Sequence, residues 1–164
     1  MPSSGEQSGE AQLAGAQADM ALREPQRRQE PKTFATEPAE DIDDLARSVV
    51  DAALEVHKTL GPGFLESVYE NALLVELRTR GIDVERQVHV TIRYKQLVVG
   101  RAILDLLVAR RVVVELKACD GLLPIHVAQL LSYVRATKCE VGLLINFDTR
   151  LLRDGLRRVV LSRR

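Results

Sequence analysis

Tryptophan is absent from this 164-residue chain and only 4% of its residues are aromatic, although 46% are hydrophobic. A core built from such material must be filled by Leu, Val, Ile and Ala. Cysteine is nearly as scarce: Cys119 and Cys139 are the only two, and they form no C-x-x-C pair. That excludes a disulfide scaffold and a cysteine-rich zinc site, and the expectation is two reduced, half-buried thiols. No apolar run is long enough to span a bilayer, and the N-terminus lacks the basic start and apolar stretch of a secretory signal. A soluble, cytoplasmic protein with no membrane contact is the expectation. Net charge is missing too, with 23 Lys and Arg against 23 Asp and Glu. The balance hides a division. Residues 1–40 carry four basic and seven acidic side chains, a net of −3, and the remainder carry nineteen and sixteen, a net of +3. A surplus of that size is weak evidence for a polyanionic partner.

Residues 1–40 are rich in Ser, Gly, Gln, Glu, Ala and Pro and lack a periodic apolar face that could offset the entropy of ordering. They read as a disordered tail, with a short helix near residues 11–23 open to it. Its functional reading is a tether or an arm for a protein partner. From Asp41 to the end the pattern is that of one folded domain. Leu45, Val49, Ala52, Ala53, Val56 and Leu60 recur at helical spacing, with acids before them and Gly61 after. A second helix is predicted with Leu65, Val68, Tyr69, Ala72, Leu73 and Leu77 on one face and Gly81 at its end. Three strands follow, in "DVERQVHVTIRY", "QLVVGRAILDLLVA" and "RVVVELKA". "LPIHVAQLLSYVRATK" reads as a helix with Pro124 in its first turn and Val127, Leu130, Leu131 and Val134 inward. "EVGLLINF" is a fourth strand, and the C-terminal segment reads as a short helix and an edge strand. The order predicts an α/β domain in which the first three strands pair as a meander and helices cover the sheet.

The stretch "VVVELKA" poses the chemical question. Alternation puts Val113, Glu115 and Lys117 on one face of the strand and Val112, Val114, Leu116 and Ala118 on the other. The preceding strand carries an isolated Asp105 among Leu104, Leu106 and Leu107, where an acid is costly to desolvate without a partner. A hairpin could bring Asp105 and Glu115 to one cation. Two carboxylates with a lysine beside them suit Mg²⁺ and the activation of water toward a phosphodiester. An ordinary ion pair at a sheet edge is the plainer reading of the same residues. Two further pairs accompany them. Gly63, Glu66 and Tyr69 form G-x-x-E-x-x-Y, which sets Glu66 and Tyr69 one turn apart, and Gln129 and Tyr133 lie at i, i+4 on the later helix.

In this order, "VHKTLGPGFLESVYENAL", "DLLV", "VVVELKA", "HVAQLLSYV" and "VGLLINF" resemble the GxxExxY family of the PD-(D/E)XK nuclease superfamily over roughly residues 43–162. The resemblance implies a restriction-endonuclease-like αβββαβ core, a central mixed sheet flanked by helices, and cleavage of nucleic acid, DNA being the expected substrate. It implies Asp105 and Glu115 as ligands of Mg²⁺ or Mn²⁺, Lys117 as the catalytic lysine and Glu66 as the helix carboxylate that completes the metal site. Gln129 and Tyr133 match the Q-x-x-x-Y motif of related exonuclease domains, and Tyr69 and His126 are further candidates for substrate contact. Leu104 stands where the superfamily name has Pro, a position without side-chain chemistry. Small proteins of this fold often pair to span a duplex, so a homodimer is a further expectation. A nucleic-acid-binding or assembly module of the same fold with little turnover is the alternative. Arg150, Arg153, Arg157 and Arg158 could track a phosphate backbone, whereas His57 and His89 read as structural.

Overall fold

The structure, a computed structural model, describes residues 39–161; the tail expected over residues 1–40 lies outside them apart from Ala39 and Glu40. Helix α1 spans Glu40–Leu60 and α2 spans Glu66–Thr79. Strands β1 (Val84–Tyr94), β2 (Leu97–Val108) and β3 (Val112–Lys117) follow, then α3 (Pro124–Thr137), β4 (Val141–Asn146), a short 3-10 turn at Leu152–Gly155 and β5 (Leu156–Val160). The five strands form one sheet in the order β1-β2-β3-β4-β5. β1, β2 and β3 are an antiparallel meander, β3 and β4 are parallel, and β5 returns antiparallel at the edge. The parallel step requires the α3 crossover, and the mixed α/β sheet flanked by helices is the predicted one.

Glu40, Asp41 and Asp43 occupy the first turn of α1, where the helix dipole favours acids, and the helix stops at Gly61 with φ +70°. Its buried face runs through Ile42, Ala46, Val49, Ala52, Ala53 and Val56. Leu45 and Leu60, expected inward, are only half-buried. In α2 the face is rotated from the predicted one. Leu65 precedes the helix and is exposed, Val68 is exposed, and Tyr69, Glu70, Leu73, Leu74 and Leu77 are buried. The rotation has a cause in the first turn: Glu66 is turned toward the end of β3, so Leu65 and Val68 face outward. In α3, Leu130 and Val134 are buried and Val127 and Leu131 half-buried.

Two aliphatic cores lie on opposite faces of the sheet. The larger joins α1 and α2 to Leu106, Val108, Val112, Val114, Leu116, Leu143 and Ile145. The smaller joins Leu130 and Val134 of α3 to Leu104, Val113 and Leu144. Strands β3 and β4 supply both faces by alternation and are therefore apolar along almost their whole length. The β1–β2 hairpin turns at Lys95 and Gln96, both left-handed, with φ +47° and +69°, the pattern of a two-residue turn that matches strand twist. Cys119 and Cys139 are free thiols, the second buried. No helix among the described residues is long and apolar enough to cross a membrane.

The approach of α3 to β4 is set by Gly142. A Cβ there would lie 2.6 Å from Val134 Cγ2, 2.8 Å from Leu130 Cδ1 and 2.9 Å from Val159 Cγ2. Leu130 and Val134 are themselves fully buried and have little room to give. Gly142→Ala should cost roughly 1–3 kcal/mol by overpacking, read as a lower midpoint in urea with an unchanged slope.

Candidate active site

β2 and β3 pair only from Leu106↔Val114 to Val108↔Val112. Beyond Leu106 the ladder would continue with Asp105 opposite Glu115, but the strands part. Side chains replace the missing backbone bonds. The Leu116 N–H donates to Asp105 Oδ2 at 2.8 Å, and the Asp105 N–H reaches Glu115 Oε1 at a long 3.4 Å. Each acid is tied to the other's strand, so the fork is closed by carboxylates. β3 meanwhile stays in register with β4 as far as Lys117↔Asn146, which keeps its end rigid.

Lys117 continues the face of Glu115. Its Nζ donates to the Leu116 carbonyl at 2.8 Å and stands 3.9 Å from Glu115 Oε2. Glu66, the first residue of α2, comes in from the other side, hydrogen-bonded to the backbone of Ala118 just past β3. Asn146 fixes that exit. Fully buried, it donates from Nδ2 to the Cys119 carbonyl at 2.7 Å and accepts the Cys119 N–H at 3.1 Å. Its sequence signal was a lone amide inside "GLLINF". Glu70, also buried, lies one turn beyond Glu66, and its signal was an acid at i+4 from Glu66 directly after Tyr69.

Three carboxylates therefore share one ammonium in a mostly buried place. Burial is the main cause that raises Glu115, whose pKa is pushed up to about 8, with repulsion from Asp105 adding and attraction to Lys117 opposing. Asp105 is raised for the same first reason, against the hydrogen bond from Leu116 and the charge of Lys117. Glu66 is raised by burial as well, with attraction to Lys117 opposing and repulsion from Asp105 adding. A hard divalent cation, which takes oxygen ligands, suits this donor chemistry and would relieve the repulsion. Among the described residues, no group of three or more His, Cys, Asp or Glu side chains is arranged to hold an ion. The donor chemistry fits, while the carboxylates are engaged with the fork itself.

The other sequence candidates sit elsewhere or act differently. Tyr69 is a correction. It is fully buried, its hydroxyl donates to the Gly61 carbonyl at 2.7 Å and accepts the Phe64 N–H at 3.1 Å, and its ring stacks on Phe147 at 4.6 Å. With no surface for a substrate, it pins the Gly61–Phe64 loop that delivers Glu66. His126 accepts the Leu123 N–H on Nδ1 at 3.1 Å and closes the first turn of α3, which fixes its proton on Nε2 when neutral. Gln129 Nε2 donates to the Tyr133 hydroxyl at 2.8 Å, so this pair is joined to itself rather than to the acids. His57 bonds the Thr149 carbonyl at 2.8 Å, a structural contact. Of the C-terminal arginines, Arg158 is paired with Asp43 of α1 and Arg157 with the carbonyls of Asp154 and Leu156, while Arg153 stays largely exposed. A groove of about 280 Å³ lined by Asp43, Val50, Leu143 and Arg158 contains none of the four converging residues.

The raised carboxylates give stability a definite pH dependence. Between the unfolded value of 4.5 and the folded value of about 8, the native state holds the Glu115 proton and the unfolded chain does not. Stability of the metal-free protein should therefore be greatest below pH 4.5 as far as this group is concerned, fall as pH rises toward 8, and level off above. Glu115→Gln should flatten that decline, and thermal melts in chelator from pH 5 to 9 read the difference. An equal slope in both proteins is the outcome that counts against it.

No curated protein matches the chain. The family model of the PD-(D/E)XK nuclease superfamily matches residues 43–159, which include all but the first three residues of α1, the whole of α2, the parted strands and all four converging side chains. The chain belongs to the PD-(D/E)XK nuclease superfamily.

Proposed function

We propose that the chain is a metal-dependent nuclease of the GxxExxY family that hydrolyses phosphodiester bonds of DNA. The observation that carries the reading is the convergence of Glu66, Asp105, Glu115 and Lys117 where β2 and β3 part. Asp105 and Glu115 would hold Mg²⁺ or Mn²⁺, with Glu66 completing the site. Bound there, the ion would supply Lewis acidity toward phosphoryl oxygens and toward water. Lys117, steadied by the Leu116 carbonyl and Glu115, stabilises the negative charge that develops on the phosphoryl group. Gln129 and Tyr133 on α3, and His126 through its Nε2–H, serve as contacts to the nucleic acid.

A second reading, a nucleic-acid-binding or assembly module of the same fold with little turnover, is favoured by one observation. Asp105 and Glu115 already bond to the parted strands. The two readings separate in one assay. Purified protein with Mg²⁺ or Mn²⁺ should cut DNA and stop with EDTA, and Asp105→Asn and Lys117→Ala should each lose roughly 10²-fold or more in rate. Salt-sensitive binding that survives Asp105→Ala, without metal-stimulated product on single-stranded, duplex or branched DNA, decides for the module.

A further inference from the structure

Glu70 is 6% exposed, and the chemistry proposed above leaves it unused. A buried carboxylate needs donors, and the strongest of its partners are on β1. Gln87 Nε2 donates to both carboxylate oxygens at 3.0 Å, and Arg86 Nε donates to Oε1 at 3.1 Å. Arg86 also reaches Asn71 Oδ1 at 3.0 Å, which clamps β1 to α2 at two points. What the clamp holds is an unusual backbone. Gln87 has φ +50°, a left-handed conformation that a residue of its kind rarely takes and that persists only where its surroundings over-determine it.

The position of Gln87 gives that conformation a consequence. It falls between the pairs Arg86↔Leu106 and Val88↔Leu104, and so stands at the level of Asp105. On one side of this level Val84, Leu106 and Val108 belong to the core under α1 and α2. On the other side Val88, Val90 and Leu104 belong to the core under α3. Residues of equal parity change faces, so both strands of the hairpin cross over at Gln87 and Asp105. The crossing is where β2 leaves β3 and where the Asp105 carboxylate takes the Leu116 N–H.

We propose that Glu70 is a positioning residue that acts through Gln87: by holding Gln87 in its left-handed turn, it fixes the crossover of the hairpin and with it the place of the Asp105 carboxylate between β2 and β3. Its value to a reaction rests on the role proposed above for Asp105, but the placement itself is measurable without cleavage. Amide hydrogen exchange on the full chain reads it at Leu116, whose N–H bonds to Asp105, against Val114 in the intact ladder. Glu70→Ala should speed exchange at Leu116 about tenfold and leave Val114 unchanged. Glycine takes positive φ freely, so the double variant Glu70→Ala/Gln87→Gly should restore Leu116 protection. Gln87→Val, which keeps Glu70 but disfavours the turn, should reproduce the loss, and it serves if Glu70→Ala does not fold.

Unchanged Leu116 protection in Glu70→Ala or in Gln87→Val overturns the proposal. So does a loss that glycine at position 87 fails to recover, as expected if Glu70 acted directly at the site. Metal-stimulated cleavage should fall and return in step with Leu116 protection across the same variants. The predicted exchange pattern in a chain that cuts no DNA sustains the positioning role and removes the nuclease reading alone.

Discussion

The hydrogen bond from the Leu116 N–H to Asp105 at 2.8 Å is the contact on which the rest of this site turns. A strand that leaves its partner inside a folded domain strands backbone donors and acceptors, and each one left unpaired is costly. Here an aspartate on the departing strand fills the gap, and Glu115 answers from the other side. The opening that results is mostly buried and lined by acids. Burial raises all three carboxyls, and the attraction of Lys117 offsets that rise only in part. A fork in the sheet thus sets the geometry and the electrostatics together.

The surroundings keep the fork from closing or widening. β3 is paired with β4 to its last residue, and Asn146 mimics a peptide against Cys119 so that the chain leaves β3 in a fixed direction. Tyr69 ties the Gly61–Phe64 loop from inside the larger core, which delivers Glu66 at the head of α2. The acids are therefore held by three elements whose own positions are set by aliphatic packing, as a site of few polar groups requires.

Much of this was legible in residue types and spacing. Element order, the meander, the crossover helix and the short edge strand follow from apolar periodicity and from Gly and Pro punctuation, and Asp105 among leucines pointed to a partner acid. What could not be read is instructive. The rotation of α2 depends on Glu66 being drawn to the end of β3, a tertiary pull that outweighs the periodicity of Leu65 and Val68. Tyr69 shares a motif with Glu66, yet one faces the site and the other the core, because a motif records co-occurrence and not direction. The change of faces at Gln87 breaks the period-2 rule within a single strand, and no composition signal marks a glutamine in a left-handed turn.

The paired crossover also bears on how such a hairpin can change over evolutionary time. Adding or removing a residue in only one strand between the crossover and the β2–β3 turn would shift one set of side chains to the wrong core and carry Asp105 away from Leu116. Length changes at the Lys95–Gln96 turn fall beyond the crossover and leave it untouched. The hairpin therefore has a free end and a locked end, and relatives of this chain can differ in the reach of that arm while keeping the fork at its base.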